Sequence, residues 1–158
     1  FDIIYDESQK EAIHQIMHEP IFVLTGGPGT GKTTTVARMI EILRQTNPEK
    51  ELDIKLAAPT GKAANRLKES IQNEAPSSES DFYGKLEAVT LHKLLGAKPV
   101  VIENFTYDAK NKLSGDVFII DEASMVSLLM FKKLLEAIPQ DAKVIVIGDP
   151  DQLYWQIS

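Results

Sequence analysis

A glycine-rich stretch, GGPGTGKT at residues 26–33, constrains this chain more than any other feature. It follows an apolar run at 21–24 and precedes apolar residues at helical spacing, so the sequence predicts a strand, a tight turn and a helix. Glycine has no Cβ, so backbone N–H groups in such a turn can converge on an anion. The N-terminus of the following helix adds partial positive charge at the same point. The spacing GxxxxGK[ST] is therefore typical of a phosphate-binding loop.

The side chains of this stretch predict which phosphate ligand it takes. Lys32 can reach the β- and γ-phosphates of a nucleotide, and the Thr33 hydroxyl can ligate Mg²⁺. ATP and Mg²⁺ are therefore the predicted cofactors. The predicted nucleotide-binding residues of this stretch are Gly26, Gly27, Pro28, Gly29, Thr30, Gly31, Lys32, Thr33 and Thr34.

The remaining pattern predicts one α/β domain spanning residues 1–158. Helical spacing predicts helices at 6–18, 31–45, 127–138, after Pro59-Thr60, and briefly at 90–95. Buried strands are predicted at the apolar runs 21–25, 54–58, 117–120 and 143–147. Apolar strands that alternate with helices indicate a parallel sheet flanked by helices on both faces. The polar segment 72–86 predicts a flexible surface loop, and 100–116 a hairpin or an irregular excursion.

Bulk properties limit the partners and the compartment. The net charge of −6 makes the chain a poor general polyanion binder, so contact with nucleic acid must be local. No apolar run approaches the length of a membrane span, so no membrane partner is expected. The absence of cysteine suits the reducing cytoplasm, which is the predicted location. The chain begins at Phe1 without an initiator Met, which we interpret as a fragment of a longer protein.

Polar residues follow several of the predicted strands, and the carboxyl ends of parallel strands are where such sheets bind ligands. Asp121 can hold the Mg²⁺, and Glu122 beside it can orient or deprotonate a water molecule. Gln152 can hydrogen-bond a γ-phosphate and that water. From spacing alone, an acidic turn that caps the next helix and an ordinary polar turn remain open alternatives.

Two further sets of residues carry weaker signals. Gln9 can read adenine through its amide, or it can complete a capping box with Asp6. Lys62 and Arg66 share one face of the helix after Pro59-Thr60, and this spacing alone is more typical of a solvated face than of a binding surface. His14 and His18 are four residues apart, but Gln15 stands where the zinc-protease pattern needs Glu, so a metal site there is not expected.

Five stretches in this order resemble the RecD-type DNA helicases of superfamily 1, the 5′-to-3′ class. They are GGPGTGKTTTVA, LAAPTGKAANRL, TLHKLLGA, VFIIDEASMV and VIGDPDQL, and the likeness runs from about residue 9 to residue 153. The resemblance implies a RecA-like P-loop NTPase fold and an ATP hydrolase that unwinds DNA in double-strand break repair and recombination. It also implies single-stranded DNA and, for the full-length protein in an exodeoxyribonuclease V-like complex, RecB- and RecC-like subunits as partners.

The resemblance also implies residue roles. Lys32, Asp121, Glu122 and Gln152 would be catalytic, with Thr33 and Asp121 at the metal and Gln9 at the adenine. The implied DNA contacts are Pro59, Thr60, Gly61, Lys62, Thr90 and His92. Two departures are visible. Residues 154–158 do not follow the family pattern, and no second RecA-like domain or amino-terminal domain is present, so the isolated chain is expected to be nearly inactive.

Two rival functions use the same phosphate loop. A P-loop kinase could use 72–86 as a lid, but that segment has no arginine, and Glu122 favours attack by water. A nucleotide-gated binding module without motor output is the other alternative.

Overall fold

A computed structural model describes residues 21–25, 31–97 and 105–148, and every structural statement below refers to these ranges. Four predicted features lie outside them in whole or in part. They are the first helix at 6–18, residues 26–30 of the glycine-rich turn, residues 100–104 at the start of the 100–116 excursion, and residues 149–158.

Strands and helices alternate along the described chain. The strands are β1 (Ile21–Thr25), β2 (Ile54–Ala58), β3 (Ala88–Thr90), β4 (Val117–Ile120) and β5 (Lys143–Gly148). The helices are α1 (Lys32–Thr46), α2 (Gly61–Glu74), α3 (Ser80–Gly84), α4 (Leu91–Leu94) and α5 (Leu128–Ala137). Short 3-10 turns precede α3 at Ser77–Glu79 and α5 at Ala123–Met125.

The five strands form one sheet in the order β1-β5-β4-β2-β3, and all four pairings are parallel. The register pairs Thr25 with Gly148 at one side of the sheet and Ala58 with Thr90 at the other. Because parallel strands point the same way, their carboxyl ends meet at a single edge. The predicted parallel α/β sheet is confirmed, and this edge is the one that the sequence marks as functional.

Each face of the sheet carries its own apolar core, as a sheet with helices on both sides requires. Successive strand residues alternate between the faces, so Leu56 and Ile119 belong to one core and Ala57 and Ile120 to the other. The first core is completed by α1, α2 and α3, and the second by α4 and α5. This packing fixes the strand order and therefore the positions of the turns at the carboxyl edge.

The predicted flexible loop at 72–86 is wrong, because the segment is helical and packed. It contains the end of α2, a 3-10 turn and α3. Phe82, Tyr83 and Leu86 are buried in the core. The Tyr83 hydroxyl donates to Glu41 on α1, and Arg44 bonds Glu79 at 2.8 Å. Because most residues around these three buried side chains are polar, the average composition of the segment resembles that of a loop.

The structure also differs from the sequence analysis at one short strand and at one helix residue. β3 was not predicted, because it is three residues long and lies at the end of the sheet, where a strand needs no long apolar run. Helical spacing places Leu128 on the apolar face of α5, yet it is 62% exposed, whereas Phe131 and Leu134 are buried. Leu128 occupies the first turn of α5, where the helix starts at the carboxyl edge rather than over the sheet.

Candidate functional site

The start of α1 is built to receive an anion. Gly31 precedes it with φ 78° and ψ 22°, a left-handed conformation that favours a residue without Cβ. The first-turn N–H groups of a helix have no intrahelical acceptor, and α1 has no acidic residue in that turn to offset its positive end. Lys32, Thr33 and Thr34 are half-buried there. Phosphate is the chemistry that this helix end suits best.

Asp121 follows β4 at the same edge of the sheet. Its N–H donates to the Ala57 carbonyl of β2 at 3.0 Å, so the edge of the sheet fixes its backbone. Its Oδ1 accepts the Glu122 N–H at 2.8 Å. Burial raises the pKa of the Asp121 carboxyl, and the Glu122 charge raises it further. Two effects act in the opposite direction and offset part of this rise in the pKa. One is the hydrogen bond donated by the Glu122 N–H, and the other is the positive charge of Lys32.

Three predicted site residues lie close enough to interact, since the charges of Lys32 and Glu122 both shift the pKa of Asp121. Two neighbouring carboxylates of which one is withdrawn from water form a position that a divalent cation stabilises. The donor set, a threonine hydroxyl with carboxylate oxygens, is the hard oxygen chemistry that Mg²⁺ prefers. The residues present therefore fit a Mg²⁺ held by Thr33 and Asp121.

Glu122 has an unusual backbone. Its φ of 54° and ψ of 41° make it the one non-glycine residue with positive φ in the described ranges. This conformation costs an ordinary residue about 1–2 kcal/mol. The Glu122 carbonyl accepts the Met125 N–H at 3.0 Å, which continues the chain into the 3-10 turn. Backbone strain of this kind concentrates at functional sites, but no sequence pattern indicates it here.

The predicted DNA contacts lie at the ends of β2 and β3, the next two strands beyond β4 along the same edge. Thr60 caps α2 by accepting the Ala63 N–H at 3.1 Å, and Thr90 caps α4 by accepting the Lys93 N–H at 3.2 Å. Both threonines therefore have a structural task as well. Lys62 and His92 are exposed beside them, so the two turns present basic side chains on neighbouring strands.

The remaining predicted site residues are not all within the described ranges. Pro59 is half-buried and Gly61 is exposed at the start of α2. Gln9, residues 26–30 and Gln152 lie outside the described residues. The structure thus brings Lys32, Asp121 and Glu122 together and places Lys62 and His92 further along the edge. The roles assigned to all these residues stay predictions.

A helix start suited to a phosphate, a strand-end carboxylate pair and this parallel sheet define a P-loop NTPase of the RecA-like type. The chain belongs to the family described as the AAA domain, which it matches over residues 9–157.

Two relatives confirm the resemblance to RecD-type proteins. The chain is 44% identical over 153 residues to the RecBCD enzyme subunit RecD of Mycolicibacterium smegmatis, with 93% of this chain and 28% of that protein covered. It is 35% identical over 147 residues to the ATP-dependent RecD2 DNA helicase of Deinococcus radiodurans, with 93% and 18% covered. The chain therefore spans less than a third of the length of either relative.

A solved structure agrees with the fold. The Pif1 helicase from Bacteroides in complex with ADP-AlF3 and ssDNA matches with a TM-score of 0.53 at 26% identity, over 94% of this chain and 33% of that one.

Among the helices of the described ranges, none combines the length and the apolar character needed to cross a membrane.

Proposed function

We propose that this chain is the ATP-binding motor domain of a RecD-like DNA helicase that hydrolyses Mg-ATP and moves along single-stranded DNA. The observation that carries the proposal is the position of the Asp121–Glu122 pair at the end of β4, on the same edge of the parallel sheet as the start of α1, which carries Lys32. The name of the Deinococcus relative, an ATP-dependent DNA helicase, supports it. The similar Pif1 helicase, which was solved with ADP-AlF3 and ssDNA, supports it as well.

Each side chain at the site then has its own role in ATP binding and hydrolysis. Lys32 and the first-turn N–H groups of α1 bind the phosphates, and Gln9 recognises the adenine. Thr33 and Asp121 would hold Mg²⁺, which when bound neutralises charge on the phosphates. Glu122 accepts a proton from the attacking water. Gln152 would orient that water against the γ-phosphate.

The exposed basic turns support a position for the DNA. Residues 59–62 and 90–92 follow β2 and β3, the strands on the side of β4 away from β1. Backbone contacts from the two turns, the Lys62 ammonium and an N–H of the His92 imidazole would hold the phosphates of a single strand. In the full-length protein we propose cytoplasmic double-strand break repair with RecB- and RecC-like partners, which the name of the Mycolicibacterium relative supports.

One observation weighs against the kinase alternative. A kinase of this size needs a mobile lid over the nucleotide, and 72–86 is the segment that the sequence offers for it. That segment is instead fastened to α1 by Tyr83, Arg44 and Glu79.

The test is Glu122→Gln in the full-length protein. Loss of a general base lowers rates by about 10²–10⁴-fold, so we expect ATP hydrolysis and DNA unwinding to fall by that factor while ATP binding is kept. Glu136→Gln is the matched control, because it removes the same charge from an exposed position on α5. Loss of ATP binding by Glu122→Gln, or unwinding at the parent rate, would contradict the proposal.

A further inference from the structure

An aromatic ring that the proposed function does not use lies beside the proposed DNA surface. Phe105 is half-buried, and its ring centroid is 6.2 Å from that of His92, with the two planes tilted by 59°. The Lys133 ammonium of α5 lies 5.9 Å from the same centroid. Phe105 thus stands between the turn that carries His92 and the helix that follows the Asp121–Glu122 pair.

The backbone holds this ring in place. Phe105 forms an antiparallel bridge with Ala97. The Thr106 N–H and hydroxyl both donate to the Gly96 carbonyl, at 3.0 and 2.9 Å, and the Tyr107 N–H donates to Leu95 at 3.1 Å. The segment around Phe105 is therefore fastened to the end of α4, and the ring forms a fixed platform.

The Lys133 ammonium and the His92 imidazole beside the ring have no anionic partner in the described part of the chain. Arg44 and Lys50 each pair with a carboxylate there, whereas His92 and Lys133 do not. At 5.9 Å, the Lys133 ammonium is at the outer limit of a cation–π contact. In a chain with a net charge of −6, an ammonium without a carboxylate partner and an imidazole at one aromatic ring favour an anionic ligand with an aromatic part.

We propose that Phe105, Lys133 and His92 form a subsite for one nucleotide of single-stranded DNA. The base packs on the Phe105 ring, and the adjoining phosphate lies between Lys133 and His92. This inference rests on the proposed function and extends its DNA surface from β3 to α5. A single strand is the ligand because only an unpaired base offers its face to a side chain, and such stacking tolerates any base. The subsite therefore contributes affinity rather than sequence preference.

The experiment measures binding of a labelled oligo(dT) to the full-length protein by fluorescence anisotropy over a range of salt concentrations. Lys133→Gln removes one phosphate contact, so the slope of log K against log salt should shrink by about 0.7. Phe105→Leu keeps an apolar side chain but removes the ring. It should weaken binding by about 5- to 150-fold at an unchanged salt slope.

Controls separate this subsite from a general loss of charge or folding. Lys132→Gln makes the same charge change at the adjacent, exposed lysine of α5 and should keep the parent affinity and slope. Phe105→Tyr restores a ring and should recover most of the affinity. A thermal melt of each variant identifies misfolding, and if Phe105→Leu misfolds, the slope of Lys133→Gln decides alone.

Two outcomes distinguish this inference from the function beneath it. If the parent protein does not bind oligo(dT), both the proposed function and the proposed subsite are overturned. If the parent binds and both variants keep its affinity and slope, the subsite alone is overturned. Equal weakening of duplex binding by Phe105→Leu would also overturn it, because a paired base cannot stack on the ring.

Discussion

The hydrogen bond between Tyr83 and Glu41 should contribute measurably to the stability of this chain, and Tyr83→Phe removes it without changing the ring. Tyr83 is 1% exposed and the Glu41 side chain 7% exposed, so water cannot replace the lost donor. The same Glu41 oxygen also accepts from Arg44, at 3.2 Å. The carboxylate would keep that bond but lose the one from the buried hydroxyl.

Hydrogen bonds to charged groups contribute about 1.5–3 kcal/mol. For a domain of this size each kcal/mol shifts the melting temperature by about 2–4 °C. We therefore expect Tyr83→Phe to lower the free energy of unfolding by about 2 kcal/mol and the melting temperature by about 4–8 °C. Burial raises the pKa of Tyr83 well above its ordinary value, and the bond to Glu41 raises it further, so the loss should not depend on pH near neutrality.

Equilibrium urea unfolding of the 158-residue chain, followed by circular dichroism, measures the change. Tyr107→Phe is the matched control, since Tyr107 is half-buried and its hydroxyl has no hydrogen bond among the described residues. A double-mutant cycle with Glu41→Gln should give a coupling energy of about 1 kcal/mol or more. If Tyr83→Phe stays within about 0.5 kcal/mol of the parent, as surface substitutions do, the buried bond does not hold α3 to α1.

Three further predictions concern stability. Burial acts to raise the pKa of Asp116, but a backbone N–H and the Lys50 ammonium hold it below its ordinary value. This stability is present above about pH 4 and lost on acidification. In urea titrations, the free energy of unfolding of Asp116→Asn should therefore fall less on acidification than that of the parent, by up to about 1 kcal/mol. Gly96→Ala should cost more in urea unfolding than the about 1–2 kcal/mol of a left-handed backbone, because φ is 69° there and the added Cβ would also lie 2.7 Å from the Thr106 Cβ. Calorimetry should show a loss of about 2–5 kcal/mol for Leu134→Ala and almost none for Leu128→Ala, which is 62% exposed.

The sequence predicted the central strands because a strand buried on both faces reads as a continuous apolar run. β2 and β4 have the predicted bounds, and β5 extends one residue further, to Gly148. β3 escaped prediction because Ala88–Thr90 is too short for a periodic signal. The 72–86 segment was wrongly predicted as a loop because its average composition is polar. Its two buried aromatic residues, Phe82 and Tyr83, are too few to change that average.

The candidate site was predictable where chemistry is encoded in residue type and unpredictable where it depends on conformation. Strand-end position and the GKT spacing are enough to place Asp121 and Lys32 at one edge. The left-handed backbone of Glu122 could not be read from the sequence, because glutamate is disfavoured there and tertiary contacts must impose it. The Phe105 cluster was also missed, since its three members come from separate parts of the chain.

The strand order gives the Asp121–Glu122 pair its position between the two proposed ligands. Neighbouring strands are about 4.8 Å apart, so β4 lies about 10 Å from β1, which leads to the phosphate site, and about 10 Å from β3, which leads to Thr90. The Asp121 N–H donates directly to Ala57 of β2, and β2 continues to Thr60. If nucleotide binding displaced the Asp121–Glu122 peptide, the movement would therefore reach Thr60, in the proposed DNA-contacting turn 59–62, through one hydrogen bond and three residues of chain. Because the Glu122 backbone is already strained, this short connection is where we expect the two sites to influence each other, rather than through the two packed cores.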